Sequence, residues 1–600
     1  MTRYDIEADF IVVGSGGGAL TAAITAKALG LDVIVIEKTD KIGGTTAYSG
    51  GSAWIPNNPV SLAGGLTDSR EEGLHYMEAC ISDTGLATSH ARKEAYIDKG
   101  ADMVDLLASQ GFSWRAVPRY PDYYPERAGG SAFGRSIEGE AFDTNELGEW
   151  QPFLRANDKI PPLPIYSAEA ADFLLSARTA KGFQTAARVV GKRLLLSRLR
   201  GKRLVTNGNA LIGRLLQIVL RQQTQIMRNT PVMELLVEND QVTGVLALRD
   251  GVQTTIAARR GVLLAAGGFS RNLQMRRTYH KTPVDLDWTL VAPGDTGEIT
   301  AAAMALGAAT EMMERAWWMP VTVETTTNIS RLVVWERSFP HSIVVDGSGK
   351  RFTNESAPYL DFGEAMIDRN NSSVAIPSWL VIDARHRRRY PFGVMAPGIT
   401  PKSAVESGLL IKATTIHELA QKMTVDPAAL KATVERFNSF AESGIDEDFA
   451  RGTSIYDHFY GDPRQHPNPN LGSIEEAPFY AAKLWLGDIG TKGGLVTDEH
   501  GRVLREDNHK PILGLYATGN TTASVMGDSY PGPGATIGPS LVFGHAAAAH
   551  AGQSHETPRI EPIKKRSFDR RTYLLGTDLR SGVIRSPRST SSNGWRRRES

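Results

Sequence analysis

A mixed α/β fold, α+β overall, is predicted from three features of the sequence. The chain opens on a Rossmann-like strand–glycine turn–helix unit, and Gly514-Leu515-Tyr516-Ala517-Thr518-Gly519-Asn520 reads as a late strand returning to the same sheet. Between them lies a long stretch with strands and helices of its own, as expected for an inserted domain. Six hundred residues exceed one ordinary core, and 41% hydrophobic with 22% charged residues is globular composition.

The first unit is the most specific. Phe10–Val13 is an apolar strand, followed by Gly14, Ser15, Gly16, Gly17, Gly18 and Ala19 and then helical LTAAITAKALG. In this G-x-G-x-x-A pattern Gly14 permits a tight turn and Gly16 lets backbone approach a pyrophosphate. Ala19 allows close helix–strand packing, and the helix N-terminus supplies N–H donors. The next strand, LDVIVIEK, ends at Glu37, 21 residues past Gly16, where a carboxylate can hold ribose hydroxyls.

This cradle serves NAD and FAD alike. After Glu37 and Lys38 come Gly43, Gly44, Thr45, Thr46, Ser49 and Gly50, a flexible and hydroxyl-rich run that could follow a long dinucleotide towards its second ring. No second G-x-G-x-x-G occurs, so one dinucleotide held by both ends of the chain reads as FAD. The division expected is 1–316 and 487–555 for the FAD-binding domain, 317–486 for the catalytic domain, and 556–600 for a tail. The insert carries AIPSWLVID, helical HELAQKM and PAALKATVERFNSFAESG, and the loop DPRQHPNPNLG.

Composition excludes several classes. A single cysteine, Cys80, rules out an internal disulfide framework, a zinc ribbon and a thiolate-held iron–sulfur cluster, so redox chemistry must come from an organic cofactor; no metal is expected. The same usage suits a cytoplasmic location. Arg559–Ser600 holds twelve Lys/Arg and four Asp/Glu, or +8, which leaves −7 on the rest and argues against nucleic acid. That Arg/Ser-rich tail reads as disordered. The N-terminus runs almost directly into a strand with acidic flanks, so no signal peptide is expected, and no stretch reaches the ~20 apolar residues of a membrane span. Ala187–Leu204 reads as a basic amphipathic helix, with Val189, Leu194, Leu195 and Leu199 among Arg188, Lys192, Arg193, Arg198, Arg200, Lys202 and Arg203. Packing on its own protein is the commoner use of such a helix; lying on anionic lipid is the other.

GGTTAYSGG, RGVLLAAGGF, GDTGE and GLYATGN resemble the succinate dehydrogenase/fumarate reductase flavoprotein family. AWIPNN, YPDYYPE, RFTNESAPY, GTKGGL and SYPGPGATIGP resemble, more narrowly, the FAD-dependent 3-ketosteroid dehydrogenases that desaturate ring A. The likeness runs from about Asp9 to His550. It implies a fumarate reductase flavoprotein-like fold and adds Val232, Ala266, Gly267, Gly519 and Asn520 to the cofactor residues. Some relatives attach flavin through a histidine beside the GG-[ST] segment; here Thr45-Thr46-Ala47-Tyr48-Ser49 has none, which implies non-covalent FAD. The R-G-x-G-type loop that protonates a dicarboxylate is also missing, and His341 alone in that stretch reads as structural. A bulky apolar ketone suits the aromatics Trp54, Phe133, Trp317, Trp318, Trp335 and Phe339 better.

The resemblance implies four catalytic groups. Tyr530 and the backbone N–H of Gly534, in a proline-fixed turn, polarise the 3-ketone; Tyr359 removes the α-proton; Tyr123 hydrogen-bonds that base, with Tyr124 as its rival for the role. A phenol acting as base at neutral pH is expected to sit where phenolate is favoured. The implied reaction is C1–C2 desaturation of a 3-ketosteroid, with the hydride passing to flavin N5 and on to an external acceptor such as a quinone. C4–C5 desaturation of a 5α-steroid is the alternative. A fumarate reductase-like enzyme and a flavin-carrying electron-transfer subunit are more remote.

Overall fold

The computed structural model describes residues 4–156, 163–280, 282–324, 327 and 329–553. Asp5–Pro558 forms one compact unit; of the other unit, 1–4 with 559–600, all but Tyr4 lie outside the described residues, and so does the expected tail.

Two β-sheets organise Asp5–Pro558. The first is the nucleotide-type sheet. Ile6–Val13 lies between Val33–Ile36 and Val252–Leu264, all parallel, with Gln225–Met227 beyond the former. Pro511–Ala517 pairs in parallel with the C-terminal half of Val252–Leu264, as the late-strand expectation required. Val232–Glu238 and Gln241–Arg249 pair antiparallel on the other half. The register places the function: Val13 is level with Ile36 and Leu264, and Leu264 with Ala517. Four strands therefore end on one line, and the turns at Gly14, Glu37, Ala265 and Thr518 open along the same sheet edge. Backbone bonds stitch that edge, with Gly14 N–H donating to Ile36 O at 2.8 Å, Ala265 N–H to Val13 O at 2.8 Å and Thr518 N–H to Leu264 O at 3.0 Å. Ligands of such sheets gather there.

The helix Gly17–Ala28 is apolar on all sides and buried, because sheet and helix cover it from both directions. Its partner helix, Ile537–Gln553, comes so close that a Cβ on Gly18 would stand 2.3 Å from Ser540 O and one on Gly544 2.3 Å from Gly18 O. The close approach thus falls on Gly18 as well as on Ala19.

The second sheet is antiparallel: Ile329–Leu332, Ala316–Glu324, Phe479–Thr491, Ser378–Ile382 and Ser342–Val345 in order, with Ile411–Ala413 also on Phe479–Thr491. The insert's helices form as read, at Ile416–Met423 and Pro427–Ser443, the latter with Pro at its first turn and an Asp426 cap. The strand Phe479–Thr491 runs unbroken five residues beyond 486. A small three-stranded sheet, Ser52–Trp54, Ser136–Gly139 and Trp114–Ala116, carries the loop that holds Tyr123.

The basic segment is helical only as far as Leu199, five residues short of the expected end, because the chain turns there and Leu204 enters the short strand Leu204–Val205; nor is the helix uniformly packed. A π-helical stretch, Arg188–Leu196, follows Ala180–Ala187. Val189 is buried and Arg193 is anchored to Glu169 at 2.8 Å, yet Leu195 and Leu199 face outward, the latter 84% exposed. Among the described residues no helix is long and apolar enough to cross a membrane.

Candidate active site

A cavity of about 780 Å³ runs from the glycine turns of the first sheet to a cluster of tyrosines, and residues of both sheets line it. At the cradle end, Gly14 adopts φ +109°, and a Cβ there would lie 2.3 Å from Ala265 O, so the turn itself demands glycine. Gly16 differs. A Cβ on it would meet only Thr46 Oγ1, at 3.6 Å, so no protein atom forbids a side chain. Room is left for a ligand, which is what a pyrophosphate approach requires. Of the expected cofactor residues Gly17 and Gly43 lie off the cavity wall; the Gly17 N–H donates to Thr46 Oγ1 at 3.1 Å.

Glu37 is buried with both oxygens held, one by Ser15 Oγ at 2.6 Å, the other by the N–H and hydroxyl of Thr39, each at 2.8 Å. Lys38 reaches Thr296 Oγ1 at 2.6 Å and pairs with Glu298. Thr45 Oγ1 accepts Ala292 N–H at 3.1 Å and donates to Asp295 at 3.3 Å. Ser49 and Gly44, with Gly50, continue the wall; Val232, Ala266, Gly267, Gly519 and Asn520 close it from the sheet edge. Asp295 was not read from the sequence. Its Oδ1 is buried without a partner, and burial, with Asp488 adding, pushes its pKa up to about 7. Its signal was the acid in GDTGE, but only the fold brings it, from 250 residues away, beside Thr45. A half-buried Gly16 with only one hydroxyl near its Cβ position and an orphaned carboxylate oxygen fit a dinucleotide along this wall.

At the other end the structure brings Tyr123, Tyr359, Tyr530 and Gly534 together. Ring centroids of Tyr123 and Tyr530 are 5.1 Å apart, Tyr359 and Tyr530 5.0 Å, Tyr123 and Tyr359 5.7 Å. The hydroxyls of Tyr123 and Tyr359, and those of Tyr359 and Tyr530, face one another, and the Tyr530 oxygen also faces the Gly534 N–H and Thr536. Gly534 holds φ +98°, and a Cβ on it would strike Ser52 O at 2.2 Å. Tyr123 N–H donates to Pro531 O at 2.8 Å, Tyr76 OH to the same oxygen at 2.7 Å and Ser136 Oγ to Pro533 O at 2.6 Å, so the Tyr123 and Tyr530 loops are pinned to one another. Tyr124 points elsewhere, donating to Asp361 Oδ1 at 2.7 Å.

Tyr359 opens the helix Tyr359–Asn370. Buried arginines fix the segment before it: Arg337 donates to the Glu355 and Ala357 carbonyls, and Arg351 holds Glu355 and Asp446, each at 2.7 Å. Burial alone would raise Glu355, but Arg351 and Arg451 hold its carboxyl below the usual range. The expectation of a phenolate-favouring site is corrected here. Burial pushes the Tyr359 phenol well above its ordinary value and the bond to Tyr530 adds to that; only the hydrogen bond from Tyr123 pulls it down. Among the described residues no cation offsets the burial of the phenol, which rests neutral.

Of the aromatics expected near the substrate, Trp335 alone lines the cavity. Trp54 is buried and donates to Asp122 at 2.7 Å, Trp317 stands behind Tyr530, Trp318 and Phe339 are in the core, and Phe133 is 63% exposed on the surface. The sequence reading missed Tyr120 and Tyr460, whose hydroxyls meet at 3.0 Å on the cavity wall. His341 is buried between Ser473 O at 2.8 Å and Arg389 at 2.7 Å, off the cavity wall. Cys80 is buried and unpaired, and no metal-binding cluster occurs among the described residues.

A model of the FAD binding domain family matches residues 9–537. The 3-oxosteroid 1-dehydrogenase of Mycolicibacterium smegmatis is 42% identical, the match covering 90% of this chain and 96% of that one. The 4-oxocyclohex-2-ene-1-carboxylate 5-dehydrogenase of Sinomonas cyclohexanicum is 35% identical over 90% and 93%. The crystal structure of 3-ketosteroid Δ1-dehydrogenase from Sterolibacterium denitrificans, in complex with 1,4-androstadiene-3,17-dione, is 38% identical, superimposes with a TM-score of 0.86 and covers 91% of this chain and 99% of that one. With the glycine cradle and the late parallel strand on one sheet edge, these likenesses make this chain a member of the FAD binding domain family, in the branch that holds the 3-oxosteroid 1-dehydrogenases.

Proposed function

We propose that the protein is an FAD-dependent 3-ketosteroid dehydrogenase that introduces the C1–C2 double bond of ring A. The observation that carries this reading is the convergence of buried Tyr123 and Tyr530, half-buried Tyr359 and the Gly534 N–H on one end of a cavity whose other end is a dinucleotide cradle. The likeness to 3-oxosteroid 1-dehydrogenases supports the regiochemistry.

The substrate's 3-keto oxygen accepts from the Tyr530 hydroxyl and the Gly534 N–H, which lie next to one another. Those donors stabilise negative charge growing on that oxygen as the C2 proton leaves. Tyr359, acting as the small phenolate fraction whose own proton has left to solvent, takes the proton and becomes the neutral phenol, and Tyr123 stabilises the oxygen that receives it. The pinned loops keep these groups in place and the buried rings exclude water. When bound, FAD supplies the acceptor for the hydride equivalent leaving C1. Gly14–Ala19, Glu37, Lys38, Gly44–Gly50, Val232, Ala266, Gly267, Gly519 and Asn520 would hold it; without a histidine in Thr45–Ser49, they would do so non-covalently.

The division at 316/317 and 486/487, an external quinone-like acceptor and a cytoplasmic place belong to the same reading. So does contact with anionic lipid, which the outward Leu195 and Leu199 among Arg198, Arg200, Lys202 and Arg203 support. The deciding experiment is anaerobic mixing with a 4-ene-3-ketosteroid, followed at the flavin absorbance band. A 1-dehydrogenase bleaches the flavin and yields the 1,4-diene; a 4-dehydrogenase cannot consume this substrate. Bleaching by 4-oxocyclohexanecarboxylates alone would transfer the reading to small-ring ketones.

A further inference from the structure

Lys492 lies behind the Tyr530 loop and takes no part in the chemistry above. It is buried, and its Nζ donates to the Ser529 carbonyl at 2.6 Å and sits 4.2 Å from the centroid of the Trp317 ring. Trp317 stands edge-on to Tyr530, centroids 5.0 Å apart at 72°, and donates from Nε1 to Asn520 at 3.3 Å. One ammonium therefore touches both neighbours that fix the tyrosine: the peptide bond preceding it and the indole against its ring. The lysine is anchored in turn, its N–H donating to Arg315 O at 3.0 Å and its carbonyl accepting Ser524 N–H at 3.1 Å.

A buried ammonium is costly unless compensated. Glu364, Asp528 and Asp361 face it as counter-charges while Arg315 opposes, and Asp361 is the acceptor of Tyr124. Burial, the largest influence, brings the Lys492 pKa down to about 7. Simple filling of this space needs no charge; a methionine would do it. The donor and the charge act on Ser529 and Trp317.

We propose that Lys492 is the positioning residue of the ketone-polarising loop, its ammonium clamping the Ser529 carbonyl and the face of Trp317 so that the Tyr530 hydroxyl and the Gly534 N–H meet the substrate oxygen together. This rests on the reading given under Proposed function. Its test is equilibrium titration of the oxidised holoenzyme with the product 1,4-dien-3-one, read from the flavin spectrum, beside steady-state kinetics. Lys492→Met should keep its flavin, raise Kd and KM tenfold or more, and shrink the effect of Tyr530→Phe when the two are combined, because a misplaced hydroxyl has less to lose. Lys492→Arg should recover part of the lost binding. In the wild-type protein Kd should rise as pH passes upward through about 7 and the clamp loses its proton.

A Lys492→Met protein binding within twofold of wild type overturns the assignment, as does an undiminished Tyr530→Phe effect. Should Lys492→Met fail to fold, a wild-type Kd that is flat from pH 6 to 9 overturns it equally. Wild-type flavin that no 3-oxosteroid reduces brings down the functional reading and this assignment with it; an active wild type with unaffected variants brings down the assignment alone.

Discussion

The ring of Tyr359 stands at 75° to that of Tyr530, centroids 5.0 Å apart, with its hydroxyl between those of Tyr123 and Tyr530. On the proposed reading the base and the ketone-polarising group are thus neighbours, so that proton removal and charge stabilisation act on adjacent atoms of one substrate ring.

Tyr359→Phe should lower the rate of anaerobic flavin reduction by ~10²–10⁴-fold while leaving steroid binding within a few-fold, since the ring stays and only the base is lost. Flavin reduction at the wild-type rate would remove Tyr359 from the role.

The rate should climb with pH. Burial raises the Tyr359 phenol well above its ordinary value, so the phenolate fraction grows about tenfold per pH unit below that pKa. Flavin reduction at saturating steroid should therefore rise from pH 7 to 9 without a plateau. Tyr123→Phe deletes the one bond that lowers Tyr359 and should displace the whole rise to higher pH. A pH-independent rate across this range would contradict a neutral resting phenol.

Tyr530→Phe should weaken both binding and rate, with ~10²–10³-fold lost from flavin reduction, as is typical for one donor to a developing oxyanion. Stopped-flow reduction alongside equilibrium titration separates the two effects; a change in binding only would mean that Tyr530 orients the steroid without stabilising charge.

Heat or acid should release intact FAD from the yellow protein. Gly16→Val should fold with a near-normal apoprotein melting temperature yet hold no flavin, because only Thr46 Oγ1 lies near its Cβ. Gly14→Ala should instead destabilise the fold, since it combines φ +109° with a 2.3 Å clash against Ala265 O. Flavin fluorescence that stays with the denatured chain on a gel would refute non-covalent binding.

Arg351→Met should cost ~3–5 kcal/mol by removing the arginine that pairs with buried Asp446 and one of the two that hold Glu355. Both carboxyls are held below their ordinary values, so their share of stability is present above about pH 4.5 and is lost as pH falls through the lowered folded-state pKa values. Melting scans from pH 7 down to 3 should show a steeper acid loss for wild type than for the variant. Parallel curves would mean the pair is not coupled to folding.

Leu195→Ser with Leu199→Ser should reduce retention on anionic phosphatidylserine vesicles at low salt and leave flavin reduction unchanged. Equal retention would assign the exposed leucines no part in lipid contact.

Short-range sequence determined the cradle. Gly14, Gly16 and Glu37 lie on one strand–turn–helix–strand unit, where local geometry alone fixes what each residue faces. The late strand Pro511–Ala517 was legible too, since an apolar run ending in a glycine turn has few other uses. The tyrosines were legible only through family likeness: nothing local distinguishes Tyr123 from Tyr124, whose consecutive side chains diverge, one into the cavity and one to Asp361. Tertiary structure alone decided the rest. It sent Trp54 and Trp318 to the core, Phe133 to the surface and Trp335 to the cavity, and it put Asp295 and Lys492 into dry surroundings. Their electrostatics come from desolvation and from charges far apart in the chain, so the neutral resting state of Tyr359 could not be read before the fold had buried it.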